Sequence, residues 1–235
     1  MLKTTTRRSA YVALLGICLV PINIAAADST TPEELSVQWW QWTLSIPTSV
    51  NPGLDSTGQN CMVGQRGSIW FLGGSFGGGT VVRTCSVPEG KSLFFPVINS
   101  VNINTPNVCG QGPNNVPVSQ LRAANEAAIN GVTELSVNLD GQRVPGLLLL
   151  QSPTFEVALP EDNLFDAPCQ AAGLGNVPAG IYSPAVDEGY YMLLQPLSVG
   201  NHTLHFVGKS QAVDEDITYN LTVVPLVSGN ERQAP

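Results

Sequence analysis

Positive charge is scarce in this sequence. Its 235 residues include 10 Lys and Arg against 18 Asp and Glu, so the net charge is −8 with histidine neutral. A surface this acidic repels the phosphate backbone, and we therefore expect no nucleic-acid partner. Charged residues make up only 12% of the chain and hydrophobic residues 43%, a balance that argues against intrinsic disorder.

Long hydrophobic runs are missing after residue 27. The apolar segment Leu147–Leu150, for example, is followed at once by Gln151 and Ser152. A membrane-spanning helix needs roughly 20 consecutive apolar residues. The sequence therefore predicts no membrane span once the first 27 residues are removed.

The first 27 residues have the pattern of a secretory signal peptide. Three basic residues come before an apolar run at residues 11–20, and Ala25-Ala26-Ala27 provides a small-residue cleavage site before Asp28. The run is too short to span a bilayer. We expect cleavage after residue 27 and a secreted or periplasmic protein, with a single domain at residues 28–227 and a flexible tail at 228–235.

Cysteine is also sparse, and its placement predicts two disulfides. Cys18 lies within the predicted signal peptide, which leaves an even number of cysteines in an oxidising compartment. Four cysteines can pair in three ways, and we favour pairing between neighbours in the sequence. No two cysteines have the C-x-x-C spacing of a zinc site. The predicted bridges are Cys61–Cys85 and Cys109–Cys169.

Two segments carry helix signals. Thr31, Pro32 and Glu34 form a capping-box pattern that predicts a helix ending before Pro47. Ser119 can cap a second helix that runs to about Asn130. Helix is therefore confined to one N-terminal and one internal element.

Most of the remaining chain has the pattern of short strands separated by turns, in keeping with its 23 Gly and 18 Pro. In the last predicted strand, Ile217, Tyr219 and Leu221 alternate with polar residues, as expected when one face is buried. Asp140-Gly141 suits a type I′ hairpin turn. We predict an all-β fold, an antiparallel β-sandwich of the jelly-roll or immunoglobulin-like type, with the two short helices added.

The glycine-rich segment Gly73–Gly79 connects predicted strands at residues 68–72 and 80–82. If this segment were the tip of a simple hairpin, Cys61 would lie opposite Lys91 rather than Cys85. The predicted bridge therefore requires a bulge or an additional turn.

Ser75 lies within Gly73-Gly74-Ser75-Phe76-Gly77, which matches the G-x-S-x-G pattern of a nucleophile elbow, and His202 or His205 follows in the order of α/β-hydrolases. An elbow needs a helix directly after the serine, but Thr80-Val81-Val82 favours a strand. The two histidines are three residues apart on a predicted strand. Their side chains therefore point to opposite faces, and we predict no two-histidine metal site.

Two runs of carboxylates lie at predicted strand edges, Asp187-Glu188 and Asp214-Glu215-Asp216. Clustered carboxylates can bind Ca²⁺ or serve as the acid and base of a glycosidase. The spacing of an EF-hand is absent, and such runs are usually solvated turns. We predict no cofactor, with Ca²⁺ as the alternative, and we assign no catalytic residue.

Aromatic residues are the candidates for ligand binding. Trp39 and Trp42 share one stripe of the first helix, so we expect them to be buried in the core. Trp40 and one of Tyr190 and Tyr191 are expected to be exposed, where flat rings can stack on sugars or anchor a partner. The predicted ligand-binding residues are Trp40, Tyr190, Tyr191 and Asp187.

The order of several short motifs resembles a group of exported bacterial proteins. The motifs are Trp39-Trp40-x-Trp42, Ser45-Ile46-Pro47, Asn51-Pro52, Cys61, Gln65, Trp70-Phe71-Leu72, Arg83-x-Cys85, Val87-Pro88, Gly90-Lys91, Phe94-Phe95-Pro96-Val97-Ile98-Asn99, Gln151-Ser152-Pro153, Asp162-Asn163, Gly189-Tyr190 and His202-Thr203-x-His205-Phe206. The resemblance implies an exported, β-rich bacterial protein, and no activity or site comes with it.

These features lead to three functional hypotheses. The first is a secreted or periplasmic module that binds a cell-surface or matrix polymer, such as a polysaccharide, through aromatic and polar loop residues. The second is a secreted hydrolase that uses Ser75 or a carboxylate pair. The third is a structural surface protein whose role is assembly.

Overall fold

The computed structural model describes residues 30–76, 78–211 and 213–226. The predicted signal peptide at residues 1–27 and the predicted tail at 228–235 lie outside the described residues. Three α-helices occur in the described part, together with a single 3-10 turn at Thr48–Val50. The helices are α1 (Pro32–Leu44), α2 (Val118–Asn130) and α3 (Asp166–Ala171).

Within the described residues, ten strands form two five-stranded sheets. The first sheet has the order β1-β3-β8-β6, with β7 also paired to β8, and the second has the order β2-β10-β9-β4-β5. The strands are β1 (Ile69–Phe71), β2 (Gly79–Pro88), β3 (Ser92–Ile103), β4 (Val132–Leu139), β5 (Gln142–Arg143), β6 (Leu148–Gln151), β7 (Phe155–Leu159), β8 (Gly180–Leu194), β9 (Gly200–Ser210) and β10 (Asp214–Val224).

Both sheets are mixed rather than antiparallel throughout. The prediction of a β-rich fold is confirmed, but β1 pairs with β3 and β2 pairs with β10 in parallel. The reason is that the chain does not turn back after β1: residues 72–76 and 78 lead from the first sheet to the second. Because the Gly73–Gly79 segment is a crossover and not a hairpin tip, the predicted conflict with the Cys61–Cys85 bridge does not arise.

The sheets pack face to face around a shared apolar core. Phe95 on β3 and Phe206 on β9 are both fully buried, and their ring centroids lie 4.8 Å apart. Leu204 on β9 and Ile217 on β10 are also fully buried in this core. The alternation predicted for residues 217–223 therefore corresponds to one face of β10 turned toward the first sheet.

Helix α1 covers the opposite face of the first sheet. Side chains alternate along β3, so Phe95 points toward the second sheet while its neighbour Phe94 belongs to the cluster under α1. Thr31 and Glu34 form the predicted capping box at the start of α1. All of the tryptophans on α1 are buried against this sheet. One wall of the candidate site below is therefore a rigid helix-on-sheet layer.

Helices α2 and α3 differ in how well the sequence predicted them. α2 begins at Val118, one residue before the predicted cap at Ser119, and its N-cap residue Pro117 makes no side-chain hydrogen bond. α3 was not predicted, because its six residues carry no strong local signal. Cys169 on α3 is joined to Cys109, which ties this short helix to the irregular segment after β3.

Both predicted disulfides are confirmed. The Cα atoms of Cys61 and Cys85 lie 6.0 Å apart, and those of Cys109 and Cys169 lie 5.5 Å apart. The bridges span 24 and 60 residues of sequence, and on the chain-entropy account each stabilises the fold by roughly 3 to 4.5 kcal/mol.

Among the described residues, no helix is long and apolar enough to cross a membrane.

Candidate functional site

A cleft of about 380 Å³ opens where the crossover segment passes between α1 and β10. The crossover contributes small and aromatic residues, β3 contributes an amide side chain, and β10 contributes carboxylates. We call this the acidic cleft, and its principal lining residues are Trp40, Gly74, Ser75, Phe76, Asn99 and Glu215.

A second cavity of about 780 Å³ adjoins the acidic cleft on the side of α3. The two cavities share Trp40, Phe76 and Val101 among their lining residues. The second cavity continues over Leu44 of α1 to Phe165 beside α3. We call the two adjoining cavities together the groove: Trp40, Phe76 and Val101 line both, Glu215 lines only the acidic cleft, and Phe165 lines only the second cavity.

Trp40 is held in place by a buried carboxyl behind it. The indole Nε1 of Trp40 donates a hydrogen bond to Oδ1 of Asp187 at 2.7 Å, and Asp187 is fully buried. The hydroxyl of Tyr191 donates to the same oxygen at 2.7 Å, and Asn99 Nδ2 donates to that hydroxyl at 2.8 Å. Three hydrogen bonds thus join Asn99 and Trp40, two groove residues, through Tyr191 and Asp187.

The environment of Asp187 disfavours its charge. Burial raises the pKa of Asp187 to about 7, although hydrogen bonds from Tyr191, Trp40 and Ser36 favour the ionised form, and the nearby Glu188 raises the pKa further. A carboxyl of this kind is neutral or partly ionised near pH 7. Asp187 therefore changes its charge at a pH where most carboxyl groups are already fully ionised.

Aromatic contacts shape the middle of the groove. Trp40 meets Trp39 edge to face at a centroid distance of 4.9 Å, and its ring lies 6.4 Å from that of Phe76. Phe76 lies directly over Gly53, where an added Cβ would come within 2.5 Å of the Phe76 ring. Glycine at position 53 is therefore needed for Phe76 to occupy the groove wall. Phe76 is 40% exposed, so its ring is available to a ligand.

Glu215 lines the acidic cleft. Its side chain is 9% exposed, and its Oε2 is buried without a hydrogen-bond partner among the described residues. Burial raises the pKa of Glu215 to about 8, although a hydrogen bond from the Ser75 backbone N–H and the positive charge of Arg83 favour ionisation. A Cβ on Gly74 would lie 3.2 Å from Oε2, so glycine at this position lets the crossover backbone lie close to the carboxyl.

Arg83 is a buried side chain that hydrogen-bonds the loops beside the acidic cleft. Its side chain is 2% exposed, yet none of the hydrogen bonds that it makes to described residues goes to a carboxylate. One hydrogen bond of Arg83 runs from Nη1 to the hydroxyl of Tyr219 at 2.9 Å. The remaining bonds, from 2.6 to 3.2 Å, go to the backbone carbonyls of Gly53, Asp55, Gly73 and Gly74. One guanidinium therefore joins the loop after α1 to the crossover segment.

The structure places the four predicted ligand-binding residues in different layers. Trp40 lines both cavities but is only 4% exposed, so the prediction that it is exposed is wrong: the α1 face that carries it packs on the sheet. Tyr191 and Asp187 are fully buried and support Trp40 from behind. Tyr190 is half-buried and lines neither cavity. The burial predicted for Trp39 and Trp42 is confirmed.

Ser75 and the histidines are not brought together. The Ser75 hydroxyl donates to the Gly78 carbonyl at 3.2 Å, while His205 pairs with Asp216 and His202 with Asp140, each at 2.8 Å. In the described ranges no hydrogen bond joins Ser75 to either histidine. The segment after Ser75 continues into strand β2, as the β-branched residues predicted.

Sequence reasoning missed the role of Arg83. It also treated Asp214, Glu215 and Asp216 as one run of carboxylates and did not predict that Glu215 alone is buried. The signal for Glu215 was present in the strand alternation: stepping back by two from Ile217 places Glu215 on the buried face and leaves Asp214 and Asp216 outside. No local signal indicates Arg83, since its partners lie on two distant loops.

Within the described part of the chain, no three His, Cys, Asp or Glu side chains are grouped so as to hold a metal ion.

Comparison with known proteins supplies no family: no family model, no curated protein and no solved structure matches this chain. The interpretation of the site therefore depends on its geometry and chemistry.

Proposed function

We propose that this protein binds an extended polymer, a cell-surface or matrix polysaccharide, along the groove. The single observation that carries the proposal is that the two cavities adjoin and share Trp40, Phe76 and Val101. Two adjoining cavities of about 380 and 780 Å³ accommodate several units of a chain, whereas a compact metabolite would occupy only one of them.

The groove chemistry suits sugars. Phe76, which is 40% exposed, offers apolar surface where the two cavities meet, and Asn99, Ser100 and Gln170 offer hydrogen-bonding groups on either side. Sugar rings combine apolar faces with hydroxyl groups, so a site for them combines both kinds of surface. The hydrogen bonds through Tyr191 and Asp187 hold Trp40 and Asn99 in position before a ligand arrives, which lowers the entropy cost of binding.

We propose that the protein functions outside the cytoplasm. Two disulfides within the described residues favour an oxidising compartment. The signal-peptide pattern at residues 1–27 supports the same compartment, and we propose a secreted or periplasmic protein. We also propose that the two facing sheets are a β-sandwich related to the jelly-roll or immunoglobulin-like types, modified by the crossover that creates the parallel pairs.

The test is polysaccharide binding by paired variants. Phe76→Ala removes an exposed ring from the middle of the groove, and Ile181→Ala removes an exposed apolar side chain that lines neither cavity. On a glycan array, and in pull-down with insoluble polysaccharides, we expect the wild type and Ile181→Ala to bind alike and Phe76→Ala to bind at least about tenfold more weakly. Equal binding by both variants would contradict the assignment of the groove.

A hydrolase that uses a carboxylate pair is the second candidate, favoured by the raised pKa of Glu215 and by the neighbouring Asp214, which lines the same acidic cleft. Release of new reducing ends from a bound polysaccharide, lost in Glu215→Gln, would support hydrolysis. Binding without such release supports the binding function alone.

A further inference from the structure

We propose that the acidic cleft recognises a positively charged amino group on the polymer, with Glu215 as its partner. This inference rests on the proposed function and specifies its ligand class: an amino-bearing polysaccharide rather than a neutral or anionic one.

The first observation is an unused carboxyl oxygen in a ligand-sized cavity. Glu215 is nine-tenths buried and lines the acidic cleft, and its Oε2 lacks a partner among the described residues. Buried polar atoms in native proteins nearly always have a partner, and among the six unpartnered buried side-chain atoms of the described residues only Glu215 Oε2 belongs to a residue that lines the groove. An ammonium group in the cleft would supply the missing N–H donor.

The second observation is the presence of aromatic residues in the same cleft. Trp39, Trp40 and Phe76 line the cleft together with Glu215. Aromatic faces attract cations because of their ring quadrupole, most strongly where water is excluded. A carboxyl group and aromatic residues that line one cavity favour an ammonium group over a hydroxyl.

The third observation is the charge of the whole groove. Its described lining residues include acidic side chains near both ends and neither Lys nor Arg. The acidic lining residues are Asp214, Glu215, Glu161, Asp162 and Asp166. Sulfate, phosphate or uronate groups on a polymer would be repelled along this surface, whereas ammonium groups would be attracted.

Other charged groups near Glu215 are already engaged. Arg83, on the neighbouring strand β2, directs its guanidinium to backbone carbonyls and to Tyr219. Asp214 and Asp216 flank Glu215 on β10, where Asp214 lies 3.9 Å from Lys209 and Asp216 pairs with His205. None of these groups is an ion-pair partner of Glu215 among the described residues.

Binding of an ammonium group changes the protonation of the carboxyl. Because burial raises the pKa of Glu215 to about 8, its carboxyl is neutral at pH 6 in the empty cleft. A cation next to Oε2 favours the carboxylate, so the carboxyl proton passes to solvent while the ligand keeps its own charge. Each binding event at pH 6 therefore releases about one proton.

The experiment compares two hexasaccharides of equal length, one of β-1,4-linked glucosamine and one of β-1,4-linked N-acetylglucosamine, by calorimetry at pH 6. We expect the full protein to bind the glucosamine hexamer at least about tenfold more tightly, because only that hexamer carries charged amines. Titration in two buffers of different ionisation enthalpy should show release of about one proton. Equal affinities for the two hexamers would overturn the inference.

Two variants test the role of Glu215 independently. Glu215→Gln keeps the size of the neutral acid but cannot become a carboxylate, and Gly74→Ala covers Oε2 with a methyl group and changes no charge. Both should reduce the preference for the amine hexamer at least about fivefold. Gly112→Ala is the matched control, because an added Cβ meets nothing within 4 Å at that exposed position. Retention of the full preference in Glu215→Gln would overturn the assignment.

The results separate this inference from the proposed function. Equal binding of both hexamers along the groove leaves polymer binding intact and removes the amino-group specificity. If neither hexamer binds, the amino-group inference is overturned, and polysaccharide pull-down with Phe76→Ala then decides the proposed function on its own.

Discussion

The indole nitrogen of Trp40 and the carboxyl of Asp187 are 147 residues apart in the sequence and 2.7 Å apart in the structure. Asp187 also accepts a hydrogen bond from Tyr191, whose hydroxyl accepts one from Asn99. The groove therefore depends on a buried carboxyl that lines neither cavity. This arrangement links the stability of the fold to the geometry of the site.

Removal of the Tyr191 hydroxyl should destabilise the protein. Tyr191→Phe leaves Asp187 with one hydrogen bond fewer and removes the acceptor for Asn99, both in a fully buried place. We expect the free energy of unfolding to fall by about 1 to 3 kcal/mol in urea titrations. Tyr182→Phe is the matched control, since its hydroxyl makes one exposed hydrogen bond, and its effect should stay within about 0.5 kcal/mol. Equal effects of the two variants would contradict the role given to Tyr191.

Stability should decrease as pH rises from about 5 to 8. The pKa values of Asp187 and Glu215 are raised by burial, so the folded state holds protons that the unfolded chain has lost above pH 4 to 5. The stabilisation from each neutral carboxyl is present at low pH and is lost as pH approaches the folded pKa, with a slope of about 1.4 kcal/mol per pH unit per group. His202 acts in the same direction, because Asp140 raises its pKa.

The variant Asp187→Asn tests this pH dependence. Its side-chain oxygen can still accept from Trp40 and Tyr191, but the group no longer titrates. Urea unfolding measured from pH 5 to 8 should show a slope reduced by about 1.4 kcal/mol per pH unit below pH 7. An unchanged slope would show that Asp187 does not titrate in this range.

Replacement of Arg83 by lysine should lower the free energy of unfolding. A single ammonium group cannot reach the four carbonyls and the Tyr219 hydroxyl that the guanidinium bonds, and it would remain a buried, poorly solvated charge. We expect Arg83→Lys to cost about 3 to 5 kcal/mol of unfolding free energy. Arg143→Lys, at an exposed position on β5, should be neutral within about 0.5 kcal/mol. A small effect at both positions would mean that the two loops hold together without Arg83.

The Cys109–Cys169 disulfide should matter for long ligands in particular. It anchors α3, and residues in and beside α3 line the second cavity but not the acidic cleft. Cys109→Ser with Cys169→Ser should lower the unfolding free energy by roughly 3 to 4.5 kcal/mol. In affinity measurements at a temperature where the variant remains folded, binding of long oligosaccharides should weaken more than binding of disaccharides. Equal losses for both lengths would contradict a groove that continues to α3.

Local sequence signals determined the regular elements. Thr31, Pro32 and Glu34 predict the start of α1, because capping satisfies backbone groups only three residues away. Asp140-Gly141 predicts the β4–β5 turn, where both residues have positive φ. The alternation at residues 217–223 predicts which face of β10 is buried, and sequence order was enough to pair the cysteines. Each of these signals acts between near neighbours or follows from a fixed side-chain period.

The tertiary structure alone decided the groove. Whether Trp40 is exposed depends on which sheet α1 covers, and the partners of Asp187, Glu215 and Arg83 come from segments distant in sequence. The parallel pairing of β1 with β3 likewise depends on a crossover between sheets. Burial, pKa and hydrogen bonding are properties of surfaces that meet only when the chain folds. The sequence therefore determined the elements of this protein, and their packing determined its chemistry.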